Sequence, residues 1–449
     1  LYNVKLSDAP LFEPPKRLKY DVASVMTRWF KPMFSKYLVL SGEEVALNGI
    51  RPTTLPHRAE LFGKLGPIEL DTSSGAFAQI LLQSPSKGQF FDLDPQTGNR
   101  TWNDTHNAEL MRGLYLHNKE QAIAGKPIVS LFKTSVKDEL LPTAKSWKGR
   151  TFEIADLATV LLERDVFGQF LAANNGFNTQ IPCRVGMDPL SDFHLHTMHH
   201  RSHPNHWTGD FSRWDKRVLL WLFQVLIMVF RQSSGDDIFR NAATSLLYNA
   251  SQSIRLVKTD IVKYHLGMTS GSATTAVINS WLVFILILSC WILLTGIDDM
   301  SIFLANVVIS VYGDDLQVSV SDQYKDVFGL TKVSAIVKSH FNMILDSDKK
   351  DGLLTDYSPI EECGFLSRHP KLVGKTYVGA LKKESIIASL YWSRRISTPR
   401  EFLLQIENAY TEACVHQDDL ADKIEEFFNL VAEVPQYQET FRNHPLATR

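Results

Sequence analysis

Asp314-Asp315 is the acidic pair whose setting most demands chemistry. It lies between Val307-Val-Ile-Ser-Val-Tyr312 and Leu316-Gln-Val-Ser-Val320, two runs rich in β-branched residues on either side of a Gly-Asp dipeptide. That pattern predicts a β-hairpin with the aspartates at its tip. Neighbouring carboxylates beside a buried sheet repel, and the repulsion costs free energy unless a cation joins them. A hard divalent ion such as Mg²⁺ is the usual solution. The competing reading is an exposed turn, because Gly-Asp is good turn chemistry in its own right. Two further pairs read differently: Asp236-Asp237 follows Ser-Ser-Gly as a loop, and Asp298-Asp299 caps the helix that follows.

Asp210-Phe-Ser-Arg-Trp-Asp215 brings carboxylates from a second segment. An Asp ending a short strand can face the hairpin, and the Asp five residues later is then free for another partner. Two strands bearing carboxylates can hold two Mg²⁺ ions roughly 4 Å apart, the arrangement that serves phosphoryl and nucleotidyl transfer. A third element is Gly267-Met-Thr-Ser-Gly-Ser-Ala-Thr-Thr275, a small-residue loop running into an apolar helix. Thr275 and Asn279 are four apart and share a helix face. Polar groups on such a helix are costly unless hydrogen-bonded, either to a ligand or to core backbone. Lys126, Lys133, Lys137, Lys145, Lys148 and Arg150 stand against only Asp138 and Glu139, the densest basic segment outside the C-terminal third.

These groups need a scaffold. Helix-compatible runs are predicted over 153–172, 216–231 and 274–296. A separate helical lobe is predicted after about residue 370, opened by the capping box Thr398-Pro-Arg-Glu401. Within it Phe402, Ile406, Ala409 and Ala413 recur at helical spacing, as do Leu420, Ile424, Phe427 and Val431. The apolar runs Val218–Phe230 and Trp281–Leu294 are too short to span a bilayer comfortably and read as core helices.

At 449 residues the chain has material for two or three lobes and a large core. Forty-seven basic against 49 acidic residues leave a net charge of −2, so any polyanion site must be a local patch. Cys183, Cys290, Cys363 and Cys414 are widely spaced, which argues against a disulfide scaffold or a cysteine zinc cluster. The chain opens at Leu1 without a signal-like apolar region, as expected of a trimmed chain or one cut from a longer precursor.

Taken in order, these elements resemble the RNA-dependent RNA polymerases of picornavirus-like positive-strand RNA viruses. Val136-Lys-Asp-Glu-Leu140 with Lys148-Gly-Arg150 is similar to the family's basic finger motif, and Gly186-Met-Asp-Pro189 to the turn ahead of the palm. Asp210…Asp215 resembles motif A, Ser270-Gly271…Thr275…Asn279 motif B, and Tyr312-Gly-Asp-Asp315 motif C. Asp348-Lys349 is similar to motif D and Phe365-Leu-Ser-Arg368 to the primer-grip motif E, with Ser367 where many relatives carry Lys.

The resemblance implies an α+β right-hand fold of fingers, palm and thumb, with an antiparallel palm sheet backed by helices and a helical thumb. It places fingers at 1–206 and 252–269, palm at 207–251 and 270–368, and thumb at 369–449. It implies that Asp210, Asp314 and Asp315 hold two Mg²⁺ ions, for which Mn²⁺ can substitute. Lys349 would act as general acid toward the pyrophosphate, and Lys137, Lys148 and Arg150 would clamp the triphosphate. Asp215, Ser270, Thr275 and Asn279 would read the ribose 2′-hydroxyl, and Phe365, Leu366 and Arg368 would form the primer grip. The implied partners are RNA template and primer, ribonucleoside triphosphates, a small protein primer and other viral replication proteins. The implied setting is the host cytoplasm, at membrane-associated replication complexes, with no transmembrane segment.

Two alternatives share parts of this pattern. A reverse transcriptase has the aspartate hairpin but typically a bulky apolar residue at the place of Asp215. A non-catalytic RNA-binding relative would gain nothing from clustered negative charge facing phosphates. The histidines at 194, 196, 199, 200, 203 and 206 are expected on a solvated helix–loop face rather than around zinc. Gly374-Lys375-Thr376 mimics a P-loop ending but has His369 where that motif needs Gly.

Overall fold

The apolar run beginning at Thr275 folds as a single helix, Thr275–Thr295, and every residue from Val277 to Trp291 is buried. In the computed structural model, which describes residues 14–50, 64–138, 149–348, 354–391 and 398–441, this helix is the axis of the main core. Trp29, Phe30 and Phe34 of helix Lys16–Phe34 set their rings against Trp281. It is the one described helix long and apolar enough to cross a membrane, but protein surrounds most of it. Its serine hydroxyls are satisfied within the helix, Ser280 donating to the Ala276 carbonyl and Ser289 to that of Ile285. Gly296, at φ +71°, takes the left-handed position that ends it. The other apolar run becomes helix Leu220–Ser233, and the run expected from residue 153 begins its helix at Leu157 and ends at Gly176.

The strands in chain order begin with β1 (Phe91–Leu93), β2 (Arg100–Trp102), β3 (Phe132–Val136), β4 (Thr151–Ile154), β5 (Asn205–Phe211) and β6 (Ile254–Val257). They continue with β7 (Asp260–Lys263), β8 (Val307–Tyr312), β9 (Asp315–Val320), β10 (Leu345–Ser347), β11 (Arg368–Val373) and β12 (Thr376–Leu381). The central sheet has the order β10-β5-β9-β8 and is antiparallel throughout. A second sheet, β4-β3-β6-β7, mixes antiparallel pairs with a parallel β3–β6 pair. The expected hairpin is β8–β9, with Tyr312 opposite Asp315 and Gly313-Asp314 as its two-residue turn. Gly313 sits at φ +65°, a conformation that favours glycine.

The chain separates into two compact units, residues 1–187 with 203–357, and residues 188–202 with 358–449. The smaller unit has its own core of Ile386, Leu403, Ile406, Ile424, Phe428 and Phe441. Its helix Pro399–Cys414 opens on the Thr398/Glu401 capping box, and helix Leu420–Ala432 follows. The unit also takes in hairpin β11–β12 and helix Phe193–His200, which the helical periodicity after residue 370 did not include. Gly374-Lys375 is the tip of that hairpin.

Two expectations need correction. His196, His200 and His206 are buried, not solvated. The His196 ring stacks on Phe365 with centroids 4.8 Å apart, and His206 Nδ1 lies 2.8 Å from Ser319 Oγ in β9. Asp236 is not merely loop: its carboxylate accepts from the backbone N–H groups of Ile238 and Phe239 and caps helix Asp237–Ser251. Asp299 caps helix Met300–Asn306 in the same way, as expected.

Candidate active site

The register of β5 carries Asp210 to the end of the sheet where the hairpin turns. Gly209 pairs with Leu316 of β9, and Asp210 is one residue further toward Asp315. On its other side Asp210 pairs with Asp346 of β10, a further acidic position at this end that the sequence motifs did not single out. Past Phe211 the chain must reverse, and Arg213 does so in the left-handed region at φ +58°. The short helix Trp214–Arg217 then brings Asp215 back toward the sheet end.

Electrostatics show that these carboxylates share one neighbourhood. Asp314 is open to solvent on one side, yet its carboxyl is held above the usual range. Desolvation by the surrounding protein is the main cause, and the negative charges of Asp210 and Asp215 push the same way. A hydrogen bond from its own backbone and the positive charge of Arg150 oppose the rise. Asp215 is likewise raised, first by burial and then by Glu153, against the pull of Lys216, Arg255 and Arg150. Arg150 therefore faces both acids, and Lys137, whose N–H donates to the Arg150 carbonyl at 2.7 Å, extends the ladder beyond Val136 and Thr151. Lys148 and Lys349 lie outside the described residues.

This end of the sheet suits a hard cation. Among the described residues no three His, Cys, Asp or Glu side chains form a ready cluster around a metal. Asp210 and Asp314 still supply two oxygen donors where negative charge outweighs positive. Mg²⁺ is commonly held by one or two carboxylates, with water and substrate phosphates completing its shell.

The loop before helix Thr275–Thr295 is tied to both sides of this site. A Cβ on Gly267, whose φ is +99°, would collide with the Asp215 carbonyl, and the Met268 N–H donates to that same oxygen at 2.9 Å. Gly271 lies so close to the Glu153 carbonyl that no side chain could fit. Ser270 Oγ donates to Glu153 Oε2 at 2.8 Å and accepts from the Glu153 N–H at 3.0 Å. Glu153 in turn meets Arg255 at 2.7 Å in a pair almost wholly buried, and the Arg255 guanidinium lies over the Tyr264 ring. Sequence reading found Ser270 and missed Glu153 and Arg255; Glu153 lay just beyond Arg150 in the basic segment, a signal available but unused.

Thr275 donates its hydroxyl to the loop carbonyls of Thr269 and Ser272, at 2.8 and 2.9 Å. Asn279 accepts from the Trp214 indole N–H at 2.9 Å. Because indole can only donate, that bond fixes the amide with its NH₂ directed elsewhere. Trp214 thus couples the Asp215 turn to the long helix. Ser280 joins the hairpin as well, its Oγ accepting from the Gly313 N–H at 2.9 Å.

The primer-grip candidates lie in the smaller unit. Phe365 and Arg368 exchange two backbone hydrogen bonds across Leu366-Ser367, both at positive φ (55° and 62°). Phe365 is buried, Leu366 half-buried, and Arg368 makes a two-pronged contact with Glu412 at 2.8 and 2.6 Å.

Residues 48–432 match the family model described as viral RNA-dependent RNA polymerase. The chain is 27% identical over 409 residues to the Polyprotein-FSD of Solenopsis invicta virus 3, covering 89% of this chain and 12% of that one. It is 29% identical over 405 residues to the genome polyprotein of rice tungro spherical virus strain A (85% and 11% coverage), and 26% over 332 residues to the replication polyprotein of Nora virus (73% and 16%). It therefore spans only a small part of these relatives. Its fold is similar to the Sicinivirus 3Dpol RNA dependent RNA polymerase, with a TM-score of 0.76 and 17% identity over 98% of this chain and 87% of that one. The fold is thus the α+β right-hand polymerase fold, and the chain belongs to the viral RNA-dependent RNA polymerase family, among its picornavirus-like positive-strand members.

Proposed function

We propose that the chain extends an RNA 3′ end with ribonucleotides chosen by an RNA template, by two-metal nucleotidyl transfer, in viral genome replication. The observation that carries this reading is the gathering of Asp210, Asp215 and Asp314 with Arg150 at one end of the central sheet. Asp210 and Asp314, with Asp315 beside them, hold the divalent ions. Bound there, Mg²⁺ or Mn²⁺ eases loss of the primer hydroxyl proton and offsets charge on the triphosphate and departing pyrophosphate.

The chain's own groups do the rest. Lys137, Lys148 and Arg150 grip the triphosphate, and Lys349 gives a proton to the leaving pyrophosphate. Asp215, Ser270, Thr275 and Asn279 sense the ribose 2′-hydroxyl, since a site built around that hydroxyl is left with unpaired polar groups when it is missing. Ser270 and Thr275 do this largely by shaping the loop, their hydroxyls already being engaged with Glu153 and with loop carbonyls. Phe365, Leu366 and Arg368 form a turn against which the primer rests.

In this assignment, residues 1–206 and 252–269 are fingers, 207–251 and 270–368 palm, and 369–449 thumb. RNA, ribonucleoside triphosphates, a small protein primer and other replication proteins are its partners, at replication complexes on membranes of the host cytoplasm. A polar Asp215 beside the Ser270–Asn279 element favours a ribonucleotide enzyme over a reverse transcriptase. The test is primer extension by the purified chain with Mg²⁺, an RNA template and ribonucleotides. Templated product is expected; RNA binding without turnover, beside a working control polymerase, would leave the binding-only alternative.

A further inference from the structure

Glu163 lies on helix Leu157–Gly176, is 2% exposed, and has no part in the chemistry above. Its carboxylate accepts the Ala273 N–H at 2.7 Å and a hydrogen bond from the Ser272 hydroxyl. Both donors belong to the loop that precedes Thr275. This is the loop's second buried carboxylate, and the two are built differently. Glu153 holds the Ser270 end and has Arg255 as its counter-charge. At Glu163 burial raises the carboxyl to about 7, opposed by those two loop hydrogen bonds and, among the described residues, not by a cation. A buried acid without a cation is costly, and here what offsets the cost is the loop itself.

The hold passes directly to the ribose-sensing residues. Ser272, fixed through its hydroxyl, presents the carbonyl that accepts from Thr275 Oγ1, and its own Oγ accepts from the Thr274 N–H at 3.2 Å. Thr274 immediately precedes the helix whose second turn carries Asn279, bonded to Trp214 beside Asp215. We infer that Glu163 is a positioning residue for ribose selection, latching the Ser272–Thr274 half of the loop so that Thr275 and Asn279 meet the 2′-hydroxyl in one fixed geometry. The inference rests on the polymerase reading for its functional consequence, but the latch itself does not.

Two variants separate the roles. Glu163→Gln keeps an acceptor for Ala273, whereas Glu163→Leu keeps the bulk and removes the acceptor. Hydrogen exchange on the full chain, without substrates, is expected to show the Ala273 amide losing protection about tenfold in Glu163→Leu and little in Glu163→Gln. In primer extension, the ribo-over-deoxy ratio of kcat/KM is expected to fall about tenfold in Glu163→Leu, through slower ribonucleotide use with deoxynucleotide use nearly constant, and to recover in Glu163→Gln. Ser272→Ala, which leaves the core untouched, is expected to move the ratio in the same direction by a smaller factor. Unchanged Ala273 protection in folded Glu163→Leu overturns the latch. Equal losses with ribo- and deoxynucleotides overturn the selection role. A parent chain that makes no product, with the exchange result as expected, instead removes the polymerase reading and with it the functional half of the inference.

Discussion

At the Gly313-Asp314 turn the charges of Asp210 and Asp215 press on the Asp314 carboxylate with Arg150 opposing them, while at the Phe365–Arg368 turn one guanidinium meets one carboxylate with both prongs engaged. Both are two-residue turns closing antiparallel backbone, and both carry residues expected to handle nucleic acid. They differ in what remains unsatisfied. The first gathers like charges in partly desolvated surroundings, a condition that a bound cation relieves. The second closes its charge internally and stores its cost in the backbone, with two non-glycine residues at positive φ. An arrangement that acts on a ligand leaves something for the ligand to complete; one that holds a surface in place need not.

Removing one carboxylate from the open site is the most severe test of that contrast. Asp314→Ala is expected to lower nucleotide incorporation by about a thousandfold, ~4 kcal/mol in the barrier. Its melting temperature should stay the same or rise, because a repelled carboxylate contributes no stability. A large drop in melting temperature would place Asp314 in the closed class. Arg368→Ala should behave in the opposite way. It leaves Glu412, only 17% exposed at its side chain, without its partner, and about 3 kcal/mol of stability should be lost in urea unfolding. If Arg368→Ala leaves stability intact and abolishes primer extension, the guanidinium belongs to the primer rather than to Glu412.

The open site was far more legible in the sequence than the parts that hold it. Asp314 stands out because a charge set between β-branched runs conflicts with burial, and Asp210 and Asp215 because they bracket a strand end just ahead of a long apolar run; conflict is what a linear reading detects. The β8–β9 hairpin, the long buried helix and the Thr398 capping box follow from local patterns of period two and 3.6, and those patterns survived folding. Glu163 and Arg255 were invisible, and Glu153 easily passed over, for the converse reason. Each looks like an ordinary surface charge until the chain brings a partner from a hundred residues away, as Arg255 does for Glu153 and the Ser272–Ala273 loop for Glu163. The buried histidines were misjudged by the same route. His196 is placed by Phe365, far along the chain, and no local period announces such a contact.

Glu163 sharpens the comparison from a third side, being closed by hydrogen bonds where Glu412 is closed by charge. Its carboxyl is raised to about 7 by burial, so between about 4.5 and 7 the folded chain holds a proton that the unfolded chain has released. Stability from this group is therefore greatest at low pH and is lost as pH rises toward 7. Asp156, pushed up to about 6 by burial, adds a loss of the same sign that is complete at lower pH. Glu163→Gln does not titrate, so its stability relative to the parent should improve by roughly 2 kcal/mol between pH 5 and pH 8. Chemical unfolding at the two pH values measures this directly. A constant difference would mean that the carboxyl is already ionised at pH 5 and that an unseen positive group compensates it.

The smallest expected effect lies in the strained turn. Ser367 is exposed and sits at φ 62°, where a β-carbon is disfavoured and glycine is not. Ser367→Gly should relieve that cost at the expense of some extra unfolded-chain entropy, for a net gain of about 0.5–1 kcal/mol. Leu366→Gly, at φ 55°, removes the same strain but also a half-buried side chain, so it should be neutral or destabilising. The pair of variants distinguishes backbone strain from packing in a single thermal-unfolding comparison. If Ser367→Gly stabilises the chain and yet weakens extension from a short primer, the strain serves to keep Leu366 presented, and the closed turn also leaves something for RNA to complete. If it stabilises and extension is unchanged, the turn only supports β11, and the contrast with the Asp314 turn stands as drawn.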